Sequence, residues 1–203
     1  MPSPLDAFRA YERAQGLPHR FLSEVVLAGG DDNAWSRLER GELTIEEFIP
    51  TFEAECTAAG GTVVGEELFA AIHDGTGPRP AMVAAIDRIR AAGLKTAALT
   101  NNWRADGATS GFADGHPLAG RFDAVIESAV EGLRKPDPRI YELACARLTV
   151  TPDEAVFLDD LGTNLKPARA LGMTTIKVED PDRALAELAD VLGLALGTAG
   201  VEN

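Results

Sequence analysis

The chain has 203 residues, 45% of them hydrophobic and 25% charged, with a formal net charge of −13. That length allows one sizeable core, or a core with a small second module, and the composition is that of an ordinary globular protein. So acidic a chain repels phosphate backbones, which excludes nucleic acid as a general partner, and no apolar run is long enough to span a bilayer, which excludes a membrane partner.

Up to about Asp74 the chain reads as helices only. Pro4 to Gln15 sets Leu5, Phe8, Tyr11 and Glu12 at helical spacing, and Gly16 ends the run. Pro18 to Leu27 is a second short helix closed by Gly29 and Gly30, and Asp32 or Asn33 caps the segment holding Trp35 and Leu38. Thr44 with Glu47 is a capping box, opening an amphipathic helix from Ile45 to Ala59. A further helix runs from Gly65 to His73.

From about Pro78 the pattern alternates. Helices are predicted over Pro80–Ala91, Pro138–Leu148, Leu165–Leu171 and Asp182–Leu192. Strands are predicted over Lys95–Thr100, Phe122–Glu127, Ala155–Asp159 and Thr174–Val178. Strands alternating with helices indicate an α/β fold, a parallel sheet covered on both faces, with ligands beyond the carboxyl ends of the strands. The Gly/Ala-rich tail, Gly193 to Asn203, reads as frayed.

Three of those strand ends carry polar groups. Thr100-Asn101-Asn102-Trp103 offers a hydroxyl and two amides that could hold an anion; alone, it also reads as a helix N-cap or a turn. Gly132-Leu133-Arg134-Lys135-Pro136-Asp137-Pro138 places a lysine in a proline-bounded loop, suited to meeting a phosphate at one point, or equally an exposed surface lysine. Asp159-Asp160, with Asn164 following, puts hard oxygen donors at the end of an apolar run, where Mg2+ fits. Capping of the next helix accounts for one of those carboxylates and not for two. Asn164, one helical turn from Asp160, can brace a ligand.

Taken in order, these segments resemble the haloacid dehalogenase-like superfamily: LTNNW its second motif, GLRKPDPRIYELA its third and VFLDDLGTNLKPARALGM its fourth. The resemblance covers essentially the whole chain. It extends to the branch that includes the phosphatase domain of soluble epoxide hydrolase and a related domain of acyl-CoA dehydrogenase-like proteins. It implies a helical cap module over residues 1–76 and a Rossmann-like core over 77–203. It also implies an Mg2+-dependent phosphatase acting on a small phosphorylated molecule through an aspartyl-phosphate. Thr100 and Asn101 would then contact the phosphoryl group with Asn102 in support, Lys135 would neutralise charge, Asp160 would ligate Mg2+, and Asp159 and Asn164 would support it.

The family's first motif, a strand ending in Asp-x-Asp whose first aspartate is the nucleophile, has no counterpart before the helices here. Val25-Val26-Leu27 before Asp31-Asp32 fits a helix closed by glycines instead. The central strand of the sheet is therefore expected to be missing, the sheet to be loose or closed over the gap, and these 203 residues to be inactive as they stand. The alternatives are a non-catalytic domain that binds phosphate compounds or a protein and, less well matched to an acid pair, a dehalogenase.

Cys56 and Cys145 lie far apart in no CxxC pattern and the first residues carry no signal-like run, which reads as a reduced protein of the cytoplasm. His19, His73 and His116 make no ligand pattern, Cys145 reads as core, and Trp35 as packing. Trp103, directly after the Thr100 loop, is a candidate for a cleft between cap and core. Arg37 and Arg40 with Glu39 and Glu42 read as a solvated helix face. An open sheet edge would favour a homodimer.

Overall fold

Aromatic residues recur at helical spacing through the first 73 positions, and the computed structural model, which describes residues 4–73, 77–104 and 117–196, gathers them into one core. The helices are α1 (Pro4–Gln15), α2 (Phe21–Ala28), α3 (Ala34–Glu39), α4 (Ile45–Ala58) and α5 (Gly65–His73). Trp35 lies at the centre, its ring 5.1 Å from Phe8, 5.7 Å from Phe48 and 5.9 Å from Phe52. The Tyr11 hydroxyl donates to the Val64 carbonyl at 3.3 Å and accepts the Val64 N–H at 2.9 Å, so its one polar atom is satisfied inside the core.

The starts of these helices are capped largely by glutamates from other helices. Glu12 of α1, 2% exposed, accepts the backbone N–H groups of Arg20 and Leu22 at 3.0 and 2.9 Å, ahead of and within α2. Glu55 of α4 accepts Ala34 N–H at 2.8 Å, and Glu53 accepts Gly65 N–H at 2.7 Å. Each carboxylate meets donors that a helix start leaves unpaired, and its charge suits the positive end of the helix dipole. The Glu12 clamp also explains why α2 begins at Phe21 rather than Pro18: Arg20 is held in the left-handed region, φ 69°. The capping box at Thr44 and Glu47 is present as expected.

The remaining elements are α6 (Pro80–Ala91), β1 (Ala97–Thr100), β2 (Ala124–Glu127), α7 (Ser128–Glu131), α8 (Pro138–Leu148), β3 (Val156–Asp159), α9 (Gly162–Ala170), β4 (Thr174–Lys177) and α10 (Pro181–Leu192). β1 pairs in parallel with β2, Thr100 opposite Glu127; β3 pairs in parallel with β4, Asp159 opposite Lys177. Along β3 the side chains alternate between two clusters. Phe157 packs with Tyr141 and Ile140, while Val156 and Leu158 pack with Ile176 and Leu188. Burial on both faces is what a parallel strand between helices requires.

The fold is thus mixed α/β with short parallel strands. The described strands form two separate pairs rather than the single sheet that the alternation suggested. Among the described residues each strand is paired on one edge only, and the apolar residues of β1 stay half-buried. Leu196 corrects the reading of a frayed tail: it is 2% exposed and its carbonyl accepts from Arg88 at 2.9 Å. The tail beyond it and His116 lie outside the described residues.

The chain divides into two units. The first is Met1–Gly77 with two later segments, Asn101–Gly111 and Ser128–Gly132; the second is Pro78–Thr100, Phe112–Glu127 and Leu133–Asn203. Gly41, at φ 69°, lets α7 come close within the first unit, since a Cβ there would stand 2.4 Å from the Ala129 carbonyl oxygen. Among the described residues no helix is long and apolar enough to cross a membrane.

Replacing Glu12 with alanine strands two amide donors in the first unit. Denaturant unfolding of Glu12→Ala is expected to show a loss of about 2–4 kcal/mol. Asp6→Ala, which breaks only the exposed pair with Arg9 at 3.3 Å, is expected to change stability by less than about 0.5 kcal/mol. Equal losses in the two variants would contradict the clamp.

Candidate active site

β3 spends three apolar residues and then delivers Asp159, 7% exposed, at its carboxyl end. The carboxylate is fully occupied. Its Oδ1 accepts the Leu161 backbone N–H at 2.8 Å and the Asn164 side-chain amide at 3.0 Å. Its Oδ2 accepts the Lys135 ammonium at 2.7 Å. Asn164 is itself buried, near the start of α9, and its carbonyl accepts the Tyr141 hydroxyl at 2.7 Å. Burial, reinforced by the charge of Asp159, pushes the Tyr141 phenol well above its ordinary range, so it stays a neutral donor.

Lys135 leaves the turn before α8 and is 9% exposed. Besides Asp159, its ammonium donates to the Leu99 carbonyl of β1 at 3.1 Å and lies 5.7 Å from the centre of the Phe157 ring. One cation therefore bonds to β1 and β3, members of the two strand pairs. The peptide after it, Lys135–Pro136, is cis. Thr100, the residue after Leu99, ends β1 and is half-buried.

Asp160 differs from its neighbour. It is exposed, and among the described residues nothing hydrogen-bonds its carboxylate. Lys135, Asp159 and Asn164 are thus directly bonded to one another, Asp160 follows them in the chain, and Thr100 follows the carbonyl that Lys135 holds. Asn101 and Asn102 engage residues of the first unit. The Asn101 amide donates to Glu39 at 3.3 Å, and the Asn102 backbone N–H donates to the Ser128 hydroxyl at 2.9 Å.

Glu39 corrects the reading of a solvated face. It is 7% exposed and accepts the Trp35 indole N–H at 3.0 Å, because position 39 is one turn after Trp35 on the inward side of α3. The outer charges are as expected: Arg40 pairs with Glu42 at 2.6 Å and Arg37 with Glu42 at 3.7 Å. That hydrogen bond to Arg40 is the main reason Glu42 sits below the usual carboxylate range. Glu127 went unremarked in the sequence. It ends β2 as Asp159 ends β3, is 4% exposed, and stands in register with Thr100. The signal was available, since AVIE and VFLD share the pattern of an apolar run closed by an acid.

The thiols take no part. Cys56 and Cys145 are free and buried, and burial pushes Cys56 up to about 12. Trp103 packs in the helical core, 5.8 Å from Trp35 and 5.3 Å from Phe69. His19 is exposed.

For a divalent cation the donor set is narrow. Among the described residues no three His, Cys, Asp or Glu side chains cluster to hold one. Asp159 is taken up by N–H donors and an ammonium, which leaves Asp160 as the one ready carboxylate of the pair. This fits Mg2+, which keeps several waters and takes one or two carboxylates together with substrate oxygens, better than a cation needing a full protein cage.

The family of haloacid dehalogenase-like hydrolases matches residues 5–172 of the chain. The chain is 40% identical over 207 residues to acyl-CoA dehydrogenase family member 10 of Mus musculus, covering 100% of this chain and 19% of that protein. It is 38% identical over 207 residues to bifunctional epoxide hydrolase 2 of Sus scrofa, covering 97% and 37%. It therefore spans only a minor part of both. Sesquiterpene phosphatase astK of Aspergillus oryzae is 25% identical over 166 residues, covering 80% and 81%. Among solved structures, a predicted HAD-like family hydrolase from Porphyromonas gingivalis superposes with a TM-score of 0.64 at 21% identity, covering 93% of this chain and 88% of that one. A HAD family enzyme from Bacteroides thetaiotaomicron, solved with magnesium and inorganic phosphate, does so at 0.55 and 19% identity, covering 82% and 90%. At such identities the two structures speak for the fold, while the sequence match along most of the chain speaks for descent: this protein belongs to the haloacid dehalogenase-like hydrolases.

Proposed function

We propose that the carboxyl ends of β1 and β3 handle the phosphoryl group of a small phosphorylated molecule, in a phosphomonoester hydrolase site assisted by Mg2+. We read residues 1–76 as the family's cap module and 77–203 as its core. The observation that carries the reading is the Lys135 ammonium, desolvated and bonded at once to Leu99 and Asp159. Such a cation is positioned before substrate arrives, and positioned charge is what phosphoryl transfer asks of a protein. The phosphatase name of the Aspergillus relative and the magnesium and phosphate of the Bacteroides structure support this reading without extending to this chain's own substrate.

Each residue then has a task at a stated atom. The Lys135 Nζ offsets charge on a phosphoryl oxygen while Asp159 holds it in place. The Thr100 hydroxyl donates to a phosphoryl oxygen. Asp160 is the carboxylate open to Mg2+, which when bound would offset charge on the same oxygens. Hydrolysis in this family's manner needs a carboxylate that attacks phosphorus and expels the alcohol, leaving an aspartyl-phosphate for water to cleave. No strand ending in Asp-x-Asp precedes the helices in these 203 residues, so we assign them binding without turnover.

Calorimetric titration of inorganic phosphate is expected to show tighter binding with Mg2+ than without. Asp160→Asn should remove that enhancement while moving the melting temperature by less than about 1 °C, since the side chain is exposed and unbonded. An enhancement that survives the substitution would overturn the assignment of Asp160.

With p-nitrophenyl phosphate and Mg2+, the 203 residues are expected to give no turnover. Activity that Asp160→Asn abolishes would refute the assignment of binding alone. Joining an apolar strand ending in Asp-x-Asp ahead of Met1 is expected to bring Mg2+-dependent turnover and a higher melting temperature. No change in either would favour a domain that binds phosphate compounds without chemistry.

A further inference from the structure

The Asp159 carboxylate depends on the first turn of α9, and α9 does little to hold that turn itself. Its N-cap residue is Leu161, and no side-chain hydrogen bond caps the helix. Pro167 lies inside the helix and carries no N–H, so the Thr163 carbonyl four residues earlier lacks its usual intrahelical donor. A helix of nine residues with both defects needs support from outside. Asp159 gives part of it by accepting the Leu161 N–H and the Asn164 side-chain amide. A further part comes from α8, where the Tyr141 hydroxyl donates to the Asn164 backbone carbonyl at 2.7 Å. Tyr141 is fully buried, and its ring stands edge-on to Phe157 with the centroids 5.2 Å apart. Tyr141, Asn164, Asp159, Phe157 and Lys135 all belong to the second unit.

We propose that Tyr141 is a positioning residue for the Lys135 ammonium, acting through Asn164 and Asp159. Its hydroxyl fixes the Asn164 backbone, the Asn164 amide directs one oxygen of Asp159, and the other oxygen holds Lys135 at 2.7 Å. The proposal rests on the phosphate-handling reading above. The sign of the effect follows from order rather than charge. Lys135 and Asp159 keep their charges with or without the hydroxyl. What the relay supplies is a lysine already in place, so that a phosphoryl ligand need not immobilise a long side chain as it binds. A phenylalanine at 141 keeps the ring, its edge contact with Phe157 and the Phe157 face that lies 5.7 Å from the ammonium. It removes the hydroxyl alone and cuts the relay without opening a cavity. Asp160, exposed and unbonded among the described residues, stands outside the relay.

The test uses the full 203-residue chain. In NMR spectra, Tyr141→Phe is expected to shift the Asn164 side-chain amide resonances and to speed their exchange with solvent. In calorimetric titration without Mg2+, the same variant is expected to bind inorganic phosphate about threefold to tenfold more weakly, the scale of ordering one long side chain. The factor by which Mg2+ tightens that binding should stay as in the wild type, because Asp160 is outside the relay. A second background separates positioning from support of the fold. Asn164→Ala keeps the backbone carbonyl that Tyr141 holds and cuts the relay at the amide. Adding Tyr141→Phe to it should still lower the melting temperature, by about 2–4 °C, and should weaken phosphate binding no further. An equal further loss of affinity in that background would mark support of the fold alone and sink the positioning role. So would unshifted Asn164 amide resonances in Tyr141→Phe, whether or not phosphate binds. An Mg2+ enhancement that falls when the hydroxyl is removed would refute the separation of Asp160 from the relay. A wild-type chain that binds no phosphate would instead defeat the site reading, and with it the ligand half of this proposal.

Discussion

The Lys135 ammonium is a full positive charge held almost entirely out of water, and much of the second unit is arranged to make that tolerable. Removing one member of a buried ion pair costs about 3–5 kcal/mol, because the other is left charged and unmatched. Asp159 answers the charge directly, Leu99 supplies a carbonyl, and Phe157 offers a ring face. The counter-charge is itself steadied by Leu161 and Asn164, and Asn164 in turn by Tyr141. The chain of dependence runs from α8 through β3 to α9. It leaves the carboxylate next door, Asp160, unencumbered. Two adjacent aspartates thus hold different posts because one faces donors and the other faces water.

The first unit solves a different problem with the same residue type. Its helices are short, and short helices expose a large share of unpaired N–H groups. The buried Glu12 and the half-buried Glu53 and Glu55 meet those groups, while Glu39 meets two side chains instead. The aromatic cluster around Trp35 supplies the apolar area that offsets their desolvation.

Much of this was legible in the sequence because much of it is local. The Thr44–Glu47 box, the proline-led starts of α6 and α8 and the glycine ends follow from residues within one turn of each other. The polar strand ends at Thr100, Asp159 and Asp160 were visible as breaks in apolar runs. What escaped was set by partners far along the chain. Glu39 read as a charge on a solvated helix face and Glu12 only as one member of a helical stripe, since nothing within a turn shows that Asn101 or Leu22 will stand opposite them. Which strands join in one sheet is likewise decided by which edges meet, and hydrophobic pattern alone is silent about that.

The helical unit takes its last pieces from residues 101–111 and 128–132, with most of the intervening chain belonging to the other unit. A ribosome emits the polypeptide from its amino end. When the first 77 residues have emerged, Trp35 still lacks the ring of Trp103, and Glu39 still lacks the amide of Asn101. The nascent helices must wait for more than fifty further residues before Ser128 arrives to receive Asn102. During that wait the ring faces of Trp35 and Phe69 that Trp103 covers stand open to water. Excising residues 1–77 as a separate gene would make the same exposure permanent.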